Sequence, residues 1–184
     1  MVNIDFKNDL RLIGRITETF TGLSEIMHLG GHAAHYTHIS EEIPWLLQSP
    51  NLIIAEGVAR YFENLVYDRK WLREMLSPDE KTDREIGLIM QHFWQVDRLF
   101  RIRKQMAAAE FERELYANPD QDLDHLWSVV NMKYLGIRYP DEKGACFWAV
   151  DKYFTSLPCS VQNFILADLV AAQLKNAIDI NVLD

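Results

Sequence analysis

The sequence predicts an all-α fold. Apolar residues recur at helical spacing through most of the chain, segments bearing Pro or Gly punctuate it, and capping residues stand where the periodic stretches begin. No internal repeat, low-complexity segment or Pro- or Ser-rich linker divides it, so one domain over residues 1–184 is expected.

Taken in order, Asn8 or Asp9 is placed to cap a first helix that carries Leu12, Ile13, Ile16, Phe20, Leu23 and Met27 at helical spacing and continues through His28 and His32 to about Tyr36. Gly22, Gly30 and Gly31 weaken it by roughly 1 kcal/mol each against alanine. Such glycines are kept where another backbone must come close. Thr37 to Pro50 reads as a loop, and Ser49-Pro50-Asn51 opens a second helix from about Leu52 to Leu76. Ser77-Pro78-Asp79 ends it. Thr82 or Asp83 then caps a long third helix to about Tyr116, with Ile86, Ile89, Met90, Phe93, Val96, Phe100 and Met106 on its apolar positions. Asn118-Pro119-Asp120 breaks that helix. A helix from about Leu123 to Tyr134 ends at Gly136, a C-cap glycine. Tyr139 to Gly144 is a loop, and the last helices run from about Trp148 to Thr155 and from Val161 to Ile178.

With 184 residues, 48% of them apolar and 25% charged, the chain is long enough to bury a core. No stretch reaches the roughly 18 apolar residues of a membrane span, and the N-terminus lacks the basic and apolar regions of a signal peptide. Cys146 and Cys159 make no disulfide framework. A cytoplasmic setting without membrane attachment is therefore expected. The net charge of −8 argues against nucleic acid as a partner. The one dense basic run, Arg98 to Lys104, is followed at once by Glu110, Glu112 and Glu114 and reads as a solvated helix face.

The strongest chemical signal is His28-Leu29-Gly30-Gly31-His32. Histidines at i and i+4 stand one above the other on a helix face, so both imidazoles can reach one cation. Zinc takes nitrogen and oxygen donors, and a catalytic site uses three protein ligands. Glu56, in the apolar segment Leu52-Ile53-Ile54-Ala55-Glu56, is the best third ligand, because a buried carboxylate is costly unless it is paired or binds a cation. Glu63, about two turns on, is placed to accept a hydrogen bond from a ligating histidine. In the zinc-peptidase pattern H-E-x-x-H a glutamate general base follows the first histidine; here that position is Leu29. His35 and His38 extend the cluster, and His35 reads as a substrate-groove or surface residue. His92 and His125 read as ordinary helix-face histidines. Taken alone, an H-x-x-x-H pair is common by chance, and Glu56 also reads as a carboxylate favoured by the helix N-terminus.

Three stretches in order resemble the helical zinc carboxypeptidases of the carboxypeptidase Taq type, relatives of oligoendopeptidase F, thimet oligopeptidase and angiotensin-converting enzyme. Met27-His28-Leu29-Gly30-Gly31-His32-Ala33-Ala34-His35-Tyr36 is similar to the family's H-E-x-G-H-A zinc helix. Glu56-Gly57-Val58-Ala59-Arg60-Tyr61-Phe62-Glu63-Asn64 is similar to its E-S-Q-S-R-L-W-E-N segment. Tyr134-Leu135-Gly136-Ile137, Pro140-Asp141, Phe147-Trp148 and Ala171-Ala172-Gln173-Leu174 resemble its C-terminal landmarks. The likeness covers about Leu10 to Leu174. It implies a multi-helix zincin-like catalytic half-domain with zinc on His28, His32 and Glu56, and a peptide or protein substrate.

The departures all weaken catalysis. Leu29 removes the general base, so the catalytic base is unassigned. Phe147 stands where the family has a histidine. Ser160, Gln162 and Phe164 stand near the family's oxyanion-donating tyrosines. The chain is also far shorter than the family's enzymes, so its cleft wall is expected to be covered by a dimer partner, a separate N-terminal subunit or altered residues. The expectation is a zinc-binding, metallopeptidase-like domain impaired in hydrolysis. The alternatives are an altered metal-dependent hydrolase, with Glu25 as substitute base or extra ligand, and a metal-free helical module that binds a peptide or protein.

Overall fold

The computed structural model of the chain describes residues 2–5, 9–14, 17–140 and 144–179. Helix takes 72% of the chain and strand almost none, which meets the all-α expectation. No helix among the described residues is long and apolar enough to cross a membrane. The backbone divides into two compact units, one of residues 1–91 and 166–184 and the other of residues 92–165.

The first unit opens with a short antiparallel hairpin, β1 (Val2–Asp5) and β2 (Asp9–Arg11), which pairs Val2 with Arg11 and Asn3 with Leu10. The first helix therefore does not start near Asp9. It is α1 (Phe20–Thr37), and its cap is Thr19, whose hydroxyl accepts the Gly22 N–H at 3.0 Å. A Thr side chain that satisfies an otherwise orphan first-turn donor outcompetes continuation of the helix upstream. Asn8 and Ile16, read as parts of that helix, lie outside the described residues.

A short 3-10 turn (Trp45–Leu47) precedes α2 (Leu52–Leu65), which Asn51 caps by accepting the Ile53 N–H at 2.9 Å. The expected continuous helix to Leu76 is broken: Asp68 caps a separate α3 (Arg69–Leu76) by accepting the Lys70 and Trp71 N–H groups, and Lys175 holds its other oxygen at 2.8 Å. The long helix, α4 (Glu80–Ala117), begins earlier than expected, because Asp79 rather than Thr82 or Asp83 accepts the Thr82 N–H. Asp83 instead faces Arg69 and Arg73.

The second unit holds the rest of α4, then α5 (Leu123–Leu135), capped by Asp122 and closed by Gly136 at φ 69°. A 3-10 turn (Phe147–Val150) and the short α6 (Lys152–Thr155) replace the expected helix from Trp148 to Thr155. Asp151 separates them, its carboxylate accepting the Tyr153 N–H. Of the expected 139–144 loop, Asp141, Glu142 and Lys143 lie outside the described residues. The core of this unit is aromatic: Phe111 is fully buried, 5.1 Å from the Trp127 ring and 5.0 Å from the Phe154 ring. The last helix, α7 (Val161–Asp179), starts in the second unit and returns its C-terminal part to the first.

Within the first unit, α1 packs on α2 at close range. A Cβ on Gly31 would sit 2.7 Å from the Ala59 Cα, and one on Gly57 would sit 2.5 Å from Val170 of α7. Gly31 therefore answers the sequence argument for a close-approach glycine, whereas Gly30 has open space around it. We expect opposite effects from the two alanine substitutions. Gly30→Ala should stabilise by up to about 1 kcal/mol through helix propensity. Gly31→Ala should destabilise by about 1–3 kcal/mol, because backbone rather than a flexible side chain must move. Urea unfolding of both variants checks the sign.

The guanidiniums of Arg73 and Arg69 hold the Asp83 carboxyl far below the usual carboxylate range. A depressed folded pKa contributes stability that is present above the unfolded value and lost as pH falls toward the folded one. Wild type should therefore melt higher than Asp83→Asn at pH 7, and the gap should narrow as pH drops below about 4. Melting curves from pH 7 to 2 on both proteins check this.

Candidate metal centre

Two helices of the first unit bring the titratable groups together. His28 and His32 project from successive turns of α1, with ring centroids 4.8 Å apart and planes at 81°. Glu56 and Glu63 come from α2, two turns apart and on the side that includes buried Ala59. The Gly31–Ala59 approach sets this register: Ala59 is about one turn from both carboxylates, and Gly31 lies between the turns that carry the two imidazoles.

The ligand-type atoms converge. His28 Nε2 and His32 Nε2 are 3.2 Å apart, His28 Nε2 and Glu56 Oε2 are 3.7 Å apart, and His32 Nε2 and Glu56 Oε1 are 3.5 Å apart. Zinc–nitrogen and zinc–oxygen bonds near 2.0–2.1 Å at tetrahedral angles place neighbouring donors about 3.3 Å apart. Each imidazole nitrogen thus stands near that spacing from the other and from one oxygen of the Glu56 carboxylate, and one donor atom from each residue lies within 4.8 Å of the others. His28, His32 and Glu56 are half-buried and can hold a metal ion.

Glu63 supplies the orientation. Its carboxylate can only accept, so His28 Nδ1–H donates to Glu63 Oε2 at 2.9 Å. That fixes the tautomer and leaves the His28 Nε2 lone pair facing the group. Two imidazole lone pairs at 3.2 Å repel each other, so the gap calls for a proton on His32 Nε2 or for a shared cation. Burial pushes the Glu56 carboxyl up, but its bond to His32 and the charges of His28, His32 and Arg60 outweigh this and hold it below its ordinary value. The group therefore keeps an anion ready among nitrogen donors.

The other histidines do not join it. His35 is half-buried beside Tyr36. Burial, and then the charge of His32, lower its pKa, and its Nδ1 finds no hydrogen-bond partner among the described residues. The His38 ring donates to the Ala34 carbonyl at 2.7 Å and is exposed. His92 and His125 belong to the second unit.

Two clefts flank the group. One of about 410 Å³ is lined by Ile13, Gly14, Ser24, Glu25, His28, Leu29 and Glu63. The other, about 520 Å³, is lined by residues including His32, Tyr36, Pro50, Leu52 and Glu56. His28 and Leu29 face both. Glu25 is exposed and shares the first cleft with His28, outside the three-donor group.

The remaining positions singled out by the sequence, Phe147, Ser160, Gln162 and Phe164, lie in the second unit. There Ser160 Oγ donates to the Leu157 carbonyl, Gln162 Nε2 donates to the Cys159 carbonyl at 2.6 Å, and Phe164 is buried.

Sequence reasoning missed two features. Arg60, one turn after Glu56, is buried and lies 3.4 Å from buried Asp168 of α7. The signal was available in Asp168, a carboxylate set within the apolar run Ala167 to Val170, as Glu56 is within its own. The second is the N-terminal segment at the first cleft, which carried no signal beyond Gly14.

If the orientation of His28 by Glu63 matters, Glu63→Ala should weaken binding of a divalent metal by about 10–100-fold, while Glu63→Gln, which keeps an acceptor, should lose less. Competition against a chromogenic chelator measures both.

Compared with protein-family models, with curated proteins and with solved structures, the chain matches none of them, so the case for the site is its own geometry.

Proposed function

We propose that this chain is a zinc-binding domain of the helical metallopeptidase type, impaired in peptide hydrolysis. The observation that carries the reading is the convergence of His28 Nε2, His32 Nε2 and the two Glu56 carboxylate oxygens, one facing each imidazole, at 3.2–3.7 Å, with Glu63 on the far nitrogen of His28. Two neutral nitrogens and one carboxylate are a donor set that suits zinc. When bound in such a site, zinc supplies Lewis acidity.

The chain's own residues account for the impairment. Leu29 is apolar where a base is required, and general acid–base help is typically worth roughly 10²–10⁴-fold. Glu63 is engaged with His28 and so is a poor substitute. Glu25 lies outside the donor group. The mostly apolar walls of the larger cleft, Leu29, Pro50, Leu52 and Ala55, suit a peptide or protein ligand better than a highly charged one.

Elemental analysis of protein purified without added metal or a histidine tag tests the metal. We expect about one zinc per chain, lost in His32→Ala. Absence of zinc even after incubation with it would sink the reading. Leu29→Glu then tests the base: a gain of about 10²-fold or more in peptide hydrolysis is expected. A flat result would show that Leu29 is not the only lesion.

A further inference from the structure

We propose that residues 12–14 form a strap seated on Leu29 that gates the His28–Glu63 side of the metal group. This rests on the metal reading above and assigns Leu29 a role of its own.

The contact is specific. Gly14 runs so close to Leu29 that a Cβ on it would lie 3.3 Å from Leu29 Cδ1. Ile13 and Gly14 wall the same cleft of about 410 Å³ as His28, Leu29, Glu25 and Glu63. An apolar side chain is what such a seat needs. A glutamate at position 29 would lie under the strap backbone in a cleft that already holds the carboxylates of Glu25 and Glu63, where like charge and lost hydration oppose closure. The leucine that removes a general base therefore creates a foothold for the strap.

The seat is also weak, as a gate requires. Leu12 is 45% exposed and Ile13 72% exposed, so the strap buries little apolar surface beyond the Gly14 contact. It is anchored upstream by the β1–β2 pairing. Downstream, α1 has its own cap in Thr19, so the strap can lift without unwinding the helix that carries the histidines.

Two readouts on the 184-residue chain test the two halves of the proposal. Trypsin cleavage after Arg11, followed by mass spectrometry without metal, reports the seat, because cleavage follows the population of the lifted strap. Leu29→Ala, which removes the foothold, and Leu29→Asn, which makes it polar, should each cleave about fivefold faster than wild type. Unchanged rates in both variants, with helical circular dichroism retained, overturn the seat. Release of bound zinc to a chelator reports the gate. Leu29→Ala, which leaves all three donor residues in place, should release it about fivefold faster at an unchanged zinc stoichiometry. Faster cleavage with unaltered release overturns the gate and leaves the strap a surface contact. A wild-type chain that binds no zinc overturns the gate together with the metal reading, while the cleavage rates still decide the seat.

Discussion

The approach of α1 to α2 at Gly31 and Ala59 is the constraint on which the rest of the site depends. Helix axes come this close only where one partner has no side chain and the other a small one, and a Cβ at Gly31 would lie 2.7 Å from the Ala59 Cα. The effect is geometric before it is energetic. It fixes how far α2 stands from the face that carries His28 and His32, so a side chain as short as glutamate spans the gap from position 56, and another reaches His28 from position 63. A wider interface would leave four polar groups half-buried and apart.

Electrostatics reinforce that geometry. Burial alone would favour a neutral Glu56; two imidazoles and the Arg60 guanidinium reverse the balance. Arg60 is itself buried, and its counter-charge is Asp168, on the part of α7 that belongs to the same unit. Removing one member of a buried ion pair costs about 3–5 kcal/mol, because the other is left uncompensated. The Arg60–Asp168 pair therefore links the α2–α7 packing, already close at Gly57 and Val170, to the charge state of the candidate ligand.

Leu29 sits where chemistry and packing meet. It faces both clefts beside His28. In the proposed reading its side chain can neither accept nor deliver a proton. As a packing residue it is well matched to the backbone of Gly14. Leucine at this position thus supports the proposed reading, in which a metal is held without a general base beside it and access to one side of the group depends on the N-terminal segment.

Much of this was legible in the residues themselves. Helical periodicity, the opening of the second helix at Ser49-Pro50-Asn51 and Gly136 as a terminator follow from local stereochemistry, and the structure agrees. The i, i+4 spacing of His28 and His32, the cost of burying Glu56 and the two-turn spacing from Glu56 to Glu63 pointed to one group because those arguments need only a helix and a dielectric. Where local signals competed, periodicity was a poor judge. Thr19, Asp68 and Asp79 each won a helix start because a side-chain oxygen on an orphan N–H outweighs a further turn of apolar pattern. Other features had no local cause at all. The Gly31–Ala59 contact, the Arg60–Asp168 pair and the lie of Gly14 on Leu29 join residues distant in the chain. Distances between such residues are set by which surfaces fit, so only the tertiary structure decided them.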